Sequence, residues 1–237
     1  MNTYKKIHQQ LENCSTKERA IISQKFFKTG KGEYGEGDCF LGVSVPVQRM
    51  IAKKFHKDCD AKTVEKLLDS IFHEERLTGI FILVIKYNEA SKTNTERQWL
   101  DLYLNKLHRV NNWDLVDSSA HLILGRSLLD KERTLLYEYA KSDNIWENRV
   151  AIIATLYFIR KNDVKDILAL SKIMLSHKHD LIHKAAGWML REAWQKKPAA
   201  IEDFLDDHTT SMPRTMLRYT IEKMPEKLRK HYLTKCD

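Results

Sequence analysis

The sequence predicts an all-α protein, a curved α-α superhelix of stacked helical repeats with a concave basic face. No segment shows the sustained alternation of apolar and polar residues that is typical of strands. A unit of two amphipathic helices recurs from about residue 61 onward. The 237 residues carry a formal net charge of +8. Stacked helix pairs with excess positive charge fit a groove for a polyanion.

Composition limits the classes of protein that fit. Hydrophobic residues at 43% with charged residues at 30% are typical of a globular chain. No apolar run approaches the roughly 18 to 20 residues of a membrane span, and the polar start lacks a secretory core. We therefore expect a cytoplasmic protein without a membrane partner. The charge favours nucleic acid as partner, ahead of acidic lipid.

The cysteines and histidines do not predict a metal site. Cys14, Cys39, Cys59 and Cys236 are scattered, without the close pairs of a zinc site, and free thiols are expected. The histidines at 177, 179 and 183 include one pair four residues apart, but no carboxylate cluster adjoins them. We expect no metal ion.

The N-terminal part, residues 1–60, is predicted to contain helices around one loop. Residues 1–28 form two helices, with Ser15–Glu18 as a capping box at the second. The Gly-rich stretch 29–37 has dinucleotide-binding spacing, but no strand precedes it and two glutamates would repel a pyrophosphate. It is predicted as a loop. Ser44 and Pro46 suit the start of a third helix.

Residues 61–233 are predicted to form about five helix pairs, and the whole chain, 1–237, one domain. The first helices run near 63–72, 96–107, 132–140, 164–175 and 199–205. The second helices begin near Glu74, Asn111, Ile145, Asp180 and Pro213, which are 33 to 37 residues apart. This period is typical of HEAT-like repeats, on their short side.

Aligning the second helices on this period shows where residues depart from the pattern. Arg76, Arg149, Lys184 and Arg214 share one position, and Trp113 replaces a basic residue there. Four residues later stand Asp117 and, two repeats on, Trp188, where two other repeats have Ile. Trp113 and Asp117 therefore lie on one helix face. The alternative is that both tryptophans are core residues and Asp117 a plain surface acid.

Basic residues on these helices predict a groove that follows DNA phosphates. Its candidates are Arg76, Lys184, Arg191 and Arg214. The period places several of them on one face, which random solvation of charges would not require. Binding through such a groove should weaken steeply with salt.

Three segments resemble those of a known family. Residues 113–117 (WDLVD), 142–149 (SDNIWENR) and 184–192 (KAAGWMLRE) resemble, in order and at repeat spacing, the AlkD family of bacterial DNA alkylation repair glycosylases. The resemblance implies hydrolysis of the N-glycosidic bond of N3- and N7-alkylated purines in duplex DNA. It implies neither a cofactor nor flipping of the base into a pocket. The family's catalytic aspartate matches Asp117, its two lesion-flanking tryptophans Trp113 and Trp188, and its DNA-backbone arginine Arg149.

The chemistry of such lesions explains this choice of residues. A cationic alkylated purine leaves without a general acid, so one carboxylate that stabilises the oxocarbenium-like sugar can suffice. We therefore expect a monomeric, monofunctional DNA N-glycosylase with Asp117 as catalytic residue. Two alternatives stay open: a non-catalytic HEAT-like module that binds damaged or branched DNA, and a scaffold for protein interactions. Asp117 favours the enzyme, since a DNA binder has little use for an acid in its groove.

Overall fold

The computed structural model describes residues 2–235 of the chain. Within them it contains fourteen α-helices and, apart from one isolated bridge between Cys39 and Phe72, no β-structure. The prediction of an all-α protein is confirmed. No helix among the described residues has the length and apolarity to span a membrane. Cys14, Cys39 and Cys59 are free thiols, and Cys236 lies outside the described residues.

The chain divides into two compact units, one up to Ser119 and one from Ala120. The helices of the first unit are α1 Thr3–Asn13, α2 Lys17–Phe26, α3 Val45–Phe55, α4 Ala61–Leu68, α5 His73–Ala90, α6 Arg97–Asn105 and α7 Trp113–Asp117. Those of the second are α8 Thr134–Ala140, α9 Ile145–Ile159, α10 Lys165–Met174, α11 Asp180–Trp194, α12 Pro198–His208, α13 Arg214–Ile221 and α14 Glu226–Thr234. The prediction of a single domain stays a prediction.

The helices lie near their predicted positions. The second helices begin at residues 73, 113, 145, 180 and 214, each within two residues of its predicted start. The helix starting at Trp113 departs from the others, because α7 has five residues and a π-helical turn, His121–Gly125, follows it. A π-helical turn interrupts the regular α-helical hydrogen bonding and is frequent at functional sites.

The core of the first unit is built around α5. Its apolar residues from Leu77 to Leu83 are at most 6% exposed, and α5 packs against α3 and α4. Helix α2 differs, because it has no buried residue and exposes Phe26. Its N-cap is Thr16, whose side chain accepts from the Arg19 amide at 3.4 Å, so the predicted capping box at Ser15 is wrong by one residue.

The core of the second unit is built around α9. Nearly all residues of α9 from Asn148 onward are buried, and the helix packs against α8, α10, α11 and the π-helical turn. Helices α11 and α13 approach each other closely at Gly187, where an added Cβ would lie 2.5 Å from the Met216 carbonyl oxygen. Only glycine, which lacks a Cβ, allows this approach. The packing of α11 on α13 in turn sets the position of the neighbouring Trp188.

Candidate functional site

Helix α7 presents Trp113 and Asp117 together. Asn112 caps the helix, with its side-chain oxygen accepting from the Trp113 amide at 2.8 Å. The two residues are four apart, so they lie on the same face of α7, and both are partly exposed. Leu115 and Val116, which lie between them in sequence, are fully buried. The alternative that Trp113 is an ordinary core residue does not fit its partial exposure.

An aromatic stack supports the indole of Trp113 from one side. Its ring stacks on Phe27, with centroids 5.2 Å apart and planes at 18°, and Phe27 stacks in turn on Phe40 at 5.1 Å. Phe26 meets the same indole edge-on at 5.8 Å and is 63% exposed. Stacking of this kind restricts the orientation of the indole. Trp113 is therefore held in a defined position while part of its surface stays open.

Beneath α7 lies a buried group of polar side chains, here named the His73 cluster: Asp38, His73, Arg76, Asn112 and Asp114. His73 on α5 bonds through Nδ1 to Asp38 Oδ2 at 2.9 Å and through Nε2 to Asp114 Oδ2 at 2.8 Å. Asp38 also accepts from Arg76 Nη2 at 2.5 Å and from Asn112 Nδ2 at 3.3 Å. The cluster thus joins the loop that follows the Gly-rich stretch, α5 and the start of α7.

The charges of the His73 cluster balance. Burial by itself lowers the pKa of His73, but attraction and a hydrogen bond from Asp114, with a hydrogen bond from Asp38, raise that pKa to about 9. Burial raises the pKa of Asp38, yet His73 and Arg76 together hold it below its usual value. At neutral pH, therefore, the cluster holds an imidazolium and a guanidinium against two carboxylates.

The loop that follows the Gly-rich stretch, residues 38–44, is fixed where it approaches α5. The Glu74 carboxylate accepts from the amides of Leu41, Gly42 and Val43 at 2.7 to 3.2 Å. Gly42 has a φ of +87°, and an added Cβ would lie 2.1 Å from the Thr16 carbonyl oxygen. Glycine is required there both for its backbone conformation and for space. These anchors hold Asp38, on the same loop, against His73.

In the second unit, Trp188 lies on α11 and is partly exposed. Its indole Nε1 donates to Glu192 Oε1 at 3.2 Å, one helical turn further on. Arg149 on α9 donates through Nη1 to the Leu181 carbonyl in the first turn of α11 at 2.6 Å and is only 5% exposed. Arg149 therefore holds the helix that carries Trp188. Its burial argues against the expected contact of Arg149 with the DNA backbone.

Two other predicted phosphate contacts, Arg76 and Arg191, are engaged by partners within the protein. Arg76 is 2% exposed and bonded to Asp38 and to the Ser70 and Ile71 carbonyls, so the prediction that it contacts phosphate is wrong. Arg191 is paired with Glu222 and Glu192, which offsets its charge. A repeat alignment identifies equivalent helix positions but not which of them are buried.

Two predicted cations do lie at the surface. Arg214 at the start of α13 is exposed. Lys184 on α11 has a side chain 40% exposed and pairs with Asp180 at 2.6 Å. A surface pair of this kind is weak, and Lys184 can exchange Asp180 for a phosphate at small cost.

The histidines at 177, 179 and 183 organise a turn. His183 Nε2 bonds to the His177 carbonyl, His177 Nδ1 accepts from the His179 amide, and His177 Nε2 bonds to Asn148 at 3.1 Å. Burial and the two neighbouring histidines lower the pKa of His177. Through these contacts the three histidines stabilise the connection between α10 and α11.

The sequence did not predict the His73 cluster or the aromatic stack. Their members come from residues 26–40, 73–76 and 112–114, and no local spacing connects these segments. One signal was available: four consecutive polar residues, His73 to Arg76, open a helix whose continuation is apolar on all sides. Polar residues at the start of a fully buried helix need partners from elsewhere in the chain.

The chain is similar to known proteins in its sequence pattern and in its fold. A family model described as "DNA alkylation repair enzyme" matches residues 7–224. A solved structure, titled "Predicted DNA alkylation repair enzyme from Enterococcus faecalis", is similar with a TM-score of 0.68 over 90% of this chain and 97% of that one. At 16% identity this similarity shows a shared fold. No curated protein matches.

Proposed function

Because the chain belongs to the DNA alkylation repair enzyme family, we propose that it is a monofunctional DNA glycosylase that excises cationic N3- and N7-alkylated purines from duplex DNA. The family supports a role in the repair of alkylated DNA. The excision reaction, its substrate and the residues named below are the proposal.

One observation carries it: Trp113 and Asp117 share the partly exposed face of α7, and the other side of that helix start is fixed to a buried, charge-balanced cluster. A carboxylate beside an aromatic face suits a ligand that is cationic and carries a sugar. The aromatic face attracts the cationic base, and the carboxylate attracts the sugar as it becomes positive.

In the proposed reaction the bond between C1′ of deoxyribose and the purine nitrogen breaks. Its electron pair goes to the base, which leaves as a neutral molecule because alkylation had made it cationic. Water adds to C1′, and its proton is lost to solvent, with Asp117 stabilising the oxocarbenium-like sugar in between. The products are the free alkylated base and an abasic site.

The electrostatic contribution of Asp117 is sizeable. A unit charge pair about 4 Å apart at an effective dielectric near 20 is worth roughly 4 kcal/mol. Each 1.4 kcal/mol is about a factor of ten in rate, so the carboxylate can supply nearly three decades if the attraction arises mainly in the transition state. A neutral base is excised more slowly, because it is a poor leaving group and gains less from the aromatic faces.

The tryptophans and surface cations have supporting roles in the proposal. Trp113 offers an aromatic face to the cationic nucleotide, worth roughly 0.5 to 2 kcal/mol, and Trp188 of the second unit contacts DNA. Lys184 and Arg214 contact phosphates and hold the strand in register. Arg149 acts through α11, since its guanidinium holds the Leu181 carbonyl. The described reaction uses side chains and water alone, and we propose that a monomer suffices.

Product analysis on matched duplexes tests the proposal. One duplex carries a single 7-methylguanine, a second an unmodified guanine and a third a neutral damaged base at the same position. We expect free 7-methylguanine and abasic sites from the first duplex only. Equal release from the neutral lesion would contradict the electrostatic mechanism.

The same samples distinguish the alternative, a HEAT-like DNA-binding protein that recognises damaged or branched DNA without excision. Such a protein would bind the lesion duplex and leave it intact. Binding measured alongside excision therefore separates the two functions, and intact duplex at saturating protein would refute the glycosylase.

A further inference from the structure

We propose that His73 is a positioning residue: hydrogen-bonded between Asp38 and Asp114, it fixes the start of α7 and thereby the placement of the Asp117 carboxylate. The inference rests on the proposed function, because it concerns the same carboxylate. The buried residues of the His73 cluster, which do not reach the surface presented by α7, thus have a role in positioning.

The contacts of Asp114 connect His73 to the backbone of α7. Asp114 Oδ2 receives the hydrogen bond from His73 Nε2 at 2.8 Å, while Oδ1 accepts from the Leu115 amide at 2.9 Å. One carboxylate thus joins the side chain of α5 to the first turn of a five-residue helix. Asp117 follows three residues later, within one helical turn. A shift at Asp114 is therefore transmitted to Asp117.

The geometry requires His73 to carry two protons. Both ring nitrogens bond to carboxylate oxygens, at 2.9 and 2.8 Å, and a carboxylate oxygen only accepts. His73 is 1% exposed, so water cannot replace either partner. Loss of one proton would leave a nitrogen lone pair facing a carboxylate oxygen and a net negative charge in a buried cluster. Both changes are unfavourable and push Asp114 or Asp38 away.

Burial and the neighbouring charges act in opposite directions on the protonation of His73: burial lowers its pKa, and the facing carboxylates outweigh that effect. Phe27 and Phe40 lie against the imidazole with centroids 4.8 and 4.7 Å away and exclude solvent. The charges that face it are the carboxylates of Asp38 and Asp114 and, opposing them, the guanidinium of Arg76.

The charged side chains that lie farther from His73 are held by partners outside the cluster. Arg109 donates to the Leu68, Asp69 and Ser70 carbonyls, and its charge acts on Asp38 and Arg76. Glu74 is held by loop amides. Glu75 is held by His8 at 2.6 Å and by Tyr4 at 3.2 Å. The protonation of His73 therefore depends chiefly on Asp114 and Asp38.

A pH profile of excision separates positioning from a merely structural role. Single-turnover rates at saturating protein, on the 7-methylguanine duplex, should decline on the alkaline side near pH 9, where His73 loses its proton. In Asp114→Asn one of the two opposing charges is absent, so the decline should move to lower pH by about 1 to 3 units. DNA affinity should change little, because no member of the cluster lies at the surface.

A control variant and a common substrate isolate the effect. His56→Gln removes another buried histidine, which bonds to Glu89 at 3.2 Å outside the cluster, and should keep the wild-type profile. All variants share the substrate, so its own titration cancels in the comparison. An alkaline decline at the same pH in wild type and Asp114→Asn would overturn the proposal.

Two spectroscopic readouts do not need excision. In imidazole NMR of the full chain, with His73→Gln for assignment, His73 should titrate near pH 9. In protein labelled with 5-fluorotryptophan, the Trp113 resonance should move with the same midpoint, while Trp194 of the second unit should not. A His73 that titrates at or below about pH 6.5, or a Trp113 signal unmoved through its titration, would overturn the proposal even if Asp114→Asn fails to fold.

Failure of the proposed function and failure of the positioning role give different combinations of base release and coupled titration. A wild-type protein that releases no base, yet shows the coupled titration of His73 and Trp113, would refute the glycosylase and leave the positioning of α7 standing. A wild-type protein that releases base without that coupling would refute the positioning role alone.

Discussion

Folding stability should fall between pH 6.5 and 9 because of His73. Its pKa is about 9 in the folded protein against 6.5 ordinarily. A raised folded-state pKa contributes stability that is fully present below pH 6.5 and is lost as the pH rises through 9. At 1.36 kcal/mol for each pKa unit, the full contribution is about 3 kcal/mol. Asp38 acts in the opposite direction, since its lowered pKa contributes stability that is lost as the pH falls below 3.8.

Urea denaturation followed by circular dichroism tests this expectation. The free energy of unfolding is measured for wild type and His73→Gln at about pH 6, 7.5 and 9.5. Their difference should shrink by about 3 kcal/mol from the first pH to the last, because the glutamine side chain does not titrate. Other alkaline titrations affect both proteins equally and cancel. A difference that stays constant across this range would refute the assignment of His73 as a buried imidazolium.

Two further predictions concern the second unit. Gly187→Ala should lower the free energy of unfolding by about 1 to 3 kcal/mol, because the new Cβ would lie 2.5 Å from the Met216 carbonyl oxygen. Gly30→Ala is its control, since that Cβ meets only the movable end of a glutamate, and equal losses would contradict the close approach. Lys184→Ala should reduce the salt dependence of DNA binding by about one phosphate contact, a slope change of about 0.9, in a titration over salt concentration. The control is Lys161→Ala, which changes an exposed lysine just after α9 and should leave the slope unchanged. Equal slopes for wild type and Lys184→Ala would show that Lys184 does not contact a phosphate.

The sequence predicted the helices well where local signals agree. The starts at Ile145 and Asp180 coincide with their predictions, because apolar periodicity begins there directly after the capping residues Asn144 and His179. The start at Trp113 lies two residues late because Asn112 is the cap. Local patterns determine where a helix can begin, and the side chain that bonds to the first amides selects among the neighbouring positions.

The site was predictable only in part, for a physical reason. Placing Trp113 and Asp117 on one face needs only the helical repeat. Whether Arg76 is at the surface depends on Asp38, which is 38 residues away in sequence and contacts it only in the folded chain. The same holds for His73 and Asp114, which are 41 residues apart. Spacing cannot identify such pairs, because loop and helix packing bring them together.

Comparison of wild type with Asp117→Asn tests the central claim most directly. Base release from the 7-methylguanine duplex is measured under single turnover, and DNA affinity is measured on the same preparation. Asparagine keeps the size of the side chain and removes its charge, so the excision rate should fall by up to about a thousandfold while the dissociation constant changes by less than about threefold. An Asp117→Asn protein that excises 7-methylguanine as fast as wild type would contradict the proposed role of the carboxylate.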